Sequence, residues 1–182
     1  MESYTNRGLS LIELLSVLVI LGILAAMALP LFARLTADNA MTAAVNEFIG
    51  QLHLARSTAV ARERRVTLCP SENGAQCADD YRQWNQGYMT FMDQNANVER
   101  DAGETILSVH QRQASAEIHI FSSSNQRQRI TFLPMGRAWL SNTTFRFCDP
   151  DFPDFNRAVV LSNNGRVRVE RRMPDDQPIV CE

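Results

Sequence analysis

Arg7-Gly8-Leu9-Ser10-Leu11-Ile12-Glu13 opens an apolar run that continues to Pro30, and its reading decides the fold. From Leu9 to Leu29 there are 21 residues and a single charge, Glu13. That length suffices for an α-helix crossing a bilayer, which needs about 20 apolar residues. A carboxylate inside such a helix is costly, roughly 2.5–3.5 kcal/mol at the centre on insertion scales, so Glu13 asks for a partner. The residues before Leu9 form a short polar leader, not the basic segment of an ordinary secretory signal. The small-residue cleavage site expected after a secretory hydrophobic region is not in its usual place, since Pro30 ends the run.

Beyond Pro30 the helical pattern resumes. Met41, Val45, Phe48, Leu52, Ala55 and Ala59 recur at spacings of four and three, with Asp38, Thr42, Asn46, Glu47, Gln51 and Arg56 off that line. This is an amphipathic helix with one apolar face. The chain therefore predicts one long helix, membrane-embedded over 9–30 and packed on a domain over 31–64. Pro30 is expected to kink or loosen it, because proline lacks the donor for the i→i−4 bond. Gly22 is a candidate close-packing point between helices.

After Arg65 the texture changes to short β-branched or aromatic runs separated by turn residues: 65–69, 87–92, 117–121, 129–133, 144–148 and 157–161. Two of them, 129–133 and 144–148, alternate cleanly and predict one wet face each. The expected architecture is α+β, a long N-terminal helix against an antiparallel β-domain spanning 65–182. The chain has 182 residues, enough for one helix and one globular domain with a real core. Net charge is −2, so no global field points to a polyanionic partner. All 18 basic residues are arginine, whose planar fork suits phosphate and carboxylate alike.

Four cysteines, Cys69, Cys77, Cys148 and Cys181, allow three pairings. The reading taken is Cys69–Cys77, closing a local loop, and Cys148–Cys181, tying the C-terminal tail to a strand. No Cys-x-x-Cys pair occurs and His53, His110 and His119 are scattered, which argues against a zinc site. No nucleophile–base constellation stands out either, and no cofactor or enzymatic activity is expected.

The leader ending in Gly8, then Leu9, with Glu13 four residues on, resembles the processing site of type IV prepilins. The resemblance implies a leader of residues 1–8, a dedicated prepilin peptidase cutting between Gly8 and Leu9, and methylation of the new N-terminus. Mature chains of that family usually begin with Phe, where this one has Leu9. It also supplies the partner of Glu13, the free amine of a neighbouring subunit's first residue; a charge in low dielectric is tolerable beside an opposite one. Trp84-Asn85-Gln86-Gly87-Tyr88, then Phe91, Asp93, Asn95, Asn97 and Glu104-Thr105-Ile106-Leu107, resemble the GspH/FimT group of minor pilins and pseudopilins. So do Phe132-Leu133-Pro134-Met135-Gly136 and Phe145-Arg146-Phe147-Cys148. The implied history is single-pass insertion in the inner membrane, then the periplasm and a cell-surface pilus, with other major and minor pilins as partners. An oxidising periplasm fits the cysteines.

Two motifs carry possible chemistry. Asp93-Gln94-Asn95-Ala96-Asn97-Val98, ending at Glu104, nearly matches the calcium pattern D-x-N-x-N-G-x5-E, with Asp101 at a water-mediated position. Val98 stands where the pattern wants Gly, and a polar turn joining two strands explains the same residues. The second motif is Asn163-Asn164-Gly165-Arg166-Val167-Arg168-Val169-Glu170-Arg171-Arg172. Asn-Gly after 157–161 signals a hairpin. On the returning strand Val167 and Val169 share one face, and Arg166, Arg168 and Arg172 the other. Gly165-Arg166-Val167-Arg168 match the Gly-Arg-x-Arg motif of FimT-type minor pilins, which bind DNA in natural transformation. By that resemblance Gly165, Arg166 and Arg168 form a DNA-binding site that Arg171 and Arg172 extend. A charged strand edge guarding against aggregation accounts for the same arginines, as does surface pairing with Asp175, Asp176 or Glu182. The alternatives to DNA capture are a minor pilin that primes pilus assembly and a GspH-like pseudopilin of type II secretion.

Overall fold

The computed structural model describes residues 10–80, 82–111, 118–123, 128–173 and 176–181. One α-helix, α1, covers Leu11–Arg62 and stays helical on both sides of Pro30. The chain divides into two compact units, residues 1–37 and 38–182. In the first, the apolar side chains from Leu11 to Leu35 are exposed along the helix. This segment is long and apolar enough to cross a membrane, and none of its most apolar window is buried. Glu13 lies in the first turn, where a carboxylate favours the positive end of the helix dipole.

In the second unit the helix buries Met41, Val45, Phe48, Leu52, Ala55 and Ala59. These are the six positions that the spacing of apolar residues selects, so the amphipathic reading holds residue for residue. Among the described residues the strands are β1 Arg65–Pro70, β2 Gly87–Asp93, β3 Ile106–Gln111, β4 His119–Ser122, β5 Ile130–Phe132, β6 Ala138–Trp139, β7 Thr143–Cys148, β8 Arg157–Leu161 and β9 Val167–Glu170. They form two antiparallel sheets, ordered β3-β2-β1-β5-β6 and β4-β7-β8-β9.

Helix and sheets meet at Phe48. Its ring centroid lies 5.3 Å from Tyr88 on β2, 4.7 and 5.6 Å from Phe145 and Phe147 on β7, and 5.7 Å from Trp84 in a short 3-10 turn. Most of these contacts are edge-on or tilted, the arrangement that the ring quadrupole favours. Trp84 and Tyr88 of the Trp-Asn-Gln-Gly-Tyr segment are therefore core residues. Asn85 between them accepts the Ile120 N–H at 2.7 Å and bonds the His119 ring, which anchors β4.

The wet face expected for 129–133 is not there. Ile130, Thr131 and Phe132 are all buried, because β5 lies between β1 and β6 and loops cover its outer face. Thr131 is satisfied by the Thr67 hydroxyl at 2.9 Å, and Ser141 Oγ accepts the Thr131 N–H at 3.3 Å. The Arg129 guanidinium holds the cover down: it donates to the Ala78 carbonyl at 2.7 Å and to Asp79 and Glu99 at 2.9 Å. β7 does alternate, with Phe145 and Phe147 buried and Thr144 and Arg146 half-buried. β3 and β6 are additions to the sequence reading. β3 is an edge strand with mixed half-exposed side chains, and β6 has two residues, so neither shows a periodic signal.

Both disulfide assignments are present, Cys69–Cys77 and Cys148–Cys181, with Cα separations of 5.6 and 6.1 Å. The second closes a loop that contains the entire β8–β9 hairpin. Truncating Phe48 to Ala is expected to lower stability by about 3–5 kcal/mol, the range for a buried aromatic. Urea unfolding followed by tryptophan emission checks this directly, since Trp84 is buried against that ring. Replacing Cys148 and Cys181 together by Ser is expected to lower the urea midpoint by the equivalent of roughly 3–4 kcal/mol, with Cys69–Cys77 left intact.

Candidate nucleic-acid interface

The arginine-rich strand is β9, the free edge of the second sheet. Its register pairs Val159 with Val169, Val160 with Arg168 and Leu161 with Val167, so the two valines take the inner side of the strand and Arg168 the outer side. Arg166 and Arg168 are exposed. The Asn-Gly segment makes the hairpin through a three-residue loop. The Gly165 N–H donates to the Ser162 carbonyl at 2.8 Å and the Ser162 N–H to the Arg166 carbonyl at 3.0 Å. Gly165 takes the left-handed conformation at φ +78°, the bulge position that closes such hairpins.

Gly165 itself is buried, so it builds the site rather than lining it. A Cβ there would stand 2.4 Å from the Gly136 carbonyl oxygen. Its own carbonyl accepts a hydrogen bond from Arg56 Nη1 at 3.0 Å, which fastens the turn to α1. Further bonds join it to the 134–142 segment: the Ala138 N–H donates to the Asn163 carbonyl and the Asn142 N–H to Asn163 Oδ1, both at 3.0 Å.

The four arginines are not equivalent. Arg166 makes no ion pair among the described residues. Arg168 reaches Glu170 on its own strand at 3.5 Å, a half-exposed surface pair of small energetic weight. Arg172 turns to Asp176 at 3.3 Å. The charge of Arg171 is felt at Arg157, at the start of β8. Burial holds the Arg157 pKa below its ordinary value, Arg171 pushes it the same way, and Asp38 opposes both from 2.9 Å. The outer surface thus presents Arg166 and Arg168 first. Asp175 and Glu182, the other candidate partners, lie outside the described residues.

The calcium-like loop joins β2 to β3 as a polar turn. Val98 occupies φ +63°, the conformation that the motif assigns to Gly, and its N–H donates to Asp93 Oδ2 at 3.2 Å. Asn95 and Asn97 both donate to Asp101 Oδ2 at 2.7 Å, and Glu104 accepts from the Gln94 and Asp101 N–H groups. The would-be ligands are bonded to one another, and no metal-binding trio of acidic, His or Cys groups occurs among the described residues.

At the other end of the chain, the processing residues Gly8 and Leu9 lie outside the described residues. Glu13 is described, its N–H bonded to the Ser10 carbonyl at 3.0 Å.

Comparison with known proteins settles the family. The family model "Type II transport protein GspH" matches residues 44–165, and the "Prokaryotic N-terminal methylation motif" matches residues 4–29. The chain belongs to the GspH family of type IV minor pilins and pseudopilins. A curated relative, the pilin-like protein PilA1 of Thermus thermophilus, is 34% identical over 171 residues, covering 91% of this chain and 99% of the relative. The crystal structure of the type IV minor pilin FimU of Pseudomonas aeruginosa PAO1 superposes with a TM-score of 0.54. It is 22% identical and covers 74% of this chain and 91% of FimU, a likeness of fold. GspH-family proteins are structural, and their association with other pilins or pseudopilins fits the apolar N-terminal helix. The GspH match ends at Gly165, so Arg166 and the arginines that follow it lie just beyond the matched segment.

Sequence reasoning found the hairpin but not what fixes it. The Gly136–Gly165 approach and the Arg56 hydrogen bond join segments distant along the chain and leave no periodic trace. Gly165→Ala is expected to destabilise the protein by about 2 kcal/mol or more, from left-handed strain together with the backbone clash. Thermal unfolding of the variant beside Arg166→Gln, which should unfold like the parent, separates the structural residue from the displayed one.

Proposed function

We propose that this protein is a FimT-like minor pilin that captures DNA without sequence preference through Arg166 and Arg168, serving uptake in natural transformation. The observation that carries the reading is the exposure of these two arginines, Arg166 at the end of the hairpin turn and Arg168 on the outer face of the edge strand β9 that follows it. Residues two apart on a strand stand roughly 6.5–7 Å apart, close to the spacing of successive phosphates along one DNA strand. Gly165 contributes the turn that aims them, and Arg171 and Arg172 add charge nearby.

In this reading the chain enters the inner membrane as a prepilin, is cut between Gly8 and Leu9 by the prepilin peptidase, and is methylated at Leu9. Glu13 then pairs with the amine of a neighbouring subunit as the helix joins the filament, and the β-domain is carried to the periplasm and cell surface. The protein has no catalytic role of its own. It is the substrate of the peptidase and a binding module thereafter.

A second reading follows from the family description, which is that of a type II transport protein. There the β-domain would meet neighbouring pseudopilins, or would prime a pilus, and the arginine strand would face acidic protein surfaces. The deciding experiment measures DNA binding by the purified full chain in detergent across a salt series, beside an Arg166→Gln/Arg168→Gln double variant. The expected result is affinity that falls with salt. In the variant, the slope of log affinity against log salt should drop by about two and binding should weaken about tenfold or more. Equal binding by parent and variant, or none by either, would move the assignment to priming or secretion.

A further inference from the structure

The turn that supports the arginine hairpin carries a second group of exposed side chains with nucleic-acid chemistry. In the first sheet, Thr131 opposes Trp139 and Val66 opposes Phe132, while the Leu133 N–H donates to the Arg137 carbonyl at 2.9 Å. By strand alternation Arg65, Trp139 and Arg137 therefore share the outer face. The Arg65 guanidinium lies 5.1 Å from the Trp139 ring centroid, a cation–π pair. Trp139 nevertheless remains 45% exposed, whereas the chain's other tryptophan, Trp84, is fully buried.

Next to Trp139, Leu140 is 66% exposed and held at φ +48°, a left-handed conformation that is unfavourable for leucine. Beyond the ring lies a cavity of about 250 Å³ lined by Thr131, Val98, Leu140 and the Arg129–Asp79–Glu99 group. Both carboxylates of that group are taken by Arg129. Arg137 is exposed, and it adjoins Gly136, which packs against Gly165, the neighbour of Arg166. Arg65, Arg137 and Arg166 thus lie on adjoining segments, with an accessible indole among them.

We propose that Trp139 is a base-stacking platform, held by Arg65, and that Arg137 links it to the arginine hairpin in one track for nucleic acid with unpaired bases. The inference rests on the DNA-capture reading and sharpens it. Phosphate contacts alone do not distinguish duplex from single strand, but stacking on an aromatic side chain needs a base out of its pair. Arg137 and Arg166 supply the phosphate attraction, and the indole supplies the preference for a single strand or an overhang.

The indole is its own reporter. The full chain in detergent is titrated with a single-stranded oligothymidine 12-mer and with a blunt duplex of mixed sequence, following tryptophan emission and the anisotropy of labelled DNA. Oligothymidine is expected to quench the emission and the duplex to leave it nearly unchanged. Trp139→Ala should weaken single-strand binding about tenfold, shift duplex binding by less than twofold, and keep the unfolding temperature. Trp139→Phe, which preserves a ring, should retain most of the single-strand affinity.

Equal effects of Trp139→Ala on both DNA forms, or none on either, overturn the stacking platform. The hairpin reading still stands in those cases if Arg166→Gln/Arg168→Gln loses binding. Emission that responds to a second pilin but not to the 12-mer overturns it in favour of a protein contact. No binding of either DNA to the parent overturns both readings together.

Discussion

The aromatic contact around Phe48 is the interaction on which the globular unit depends. A single residue of the helix touches Tyr88 from one sheet, Phe145 and Phe147 from the other, and Trp84 from the turn that leads into β2. Neither sheet buries its inner face without the helix, and the helix buries its apolar stripe only against them. The packing therefore explains why the Trp-Asn-Gln-Gly-Tyr segment and the Phe-x-Phe of β7, so far apart in sequence, serve one purpose.

The charged groups divide in a similar way. Arg129 and Arg157 are nearly buried and spend their guanidinium groups on backbone carbonyls and nearby carboxylates. Arg56 has become a fastener for the β8–β9 turn. A chain whose cations are all arginine thus uses the same fork for three tasks: tying loops over a sheet, joining β8 to the helix at Asp38, and facing solvent on an edge strand. Only the last leaves the charge available to a ligand.

How far these features could be read in the sequence follows from their range. The six buried helix positions and the Cys69–Cys77 pairing were legible because each is fixed by local spacing, and with four cysteines that pair leaves Cys148 to Cys181. The hairpin was legible because Asn-Gly is a local turn signal. The division into two sheets was not, since strand order depends on pairings between distant segments. The burial of Thr131 was not legible either: a threonine between two apolar residues looks like a wet face until Thr67 and the Arg129-clamped loops close over it. Trp139 had no pattern around it at all. Its significance comes from Arg65, which the fold brings over its ring from a different strand.

The tight approach of Gly165 to the Gly136 oxygen separates the Gly-Arg-x-Arg motif into parts under different selection. The glycine is constrained by sterics whether or not a ligand is ever bound, so it should outlast a change of partner. The arginines answer only to what they touch. Divergence within this lineage would then show a hairpin of constant shape carrying different charges, a fixed scaffold on which specificity is rewritten at two positions.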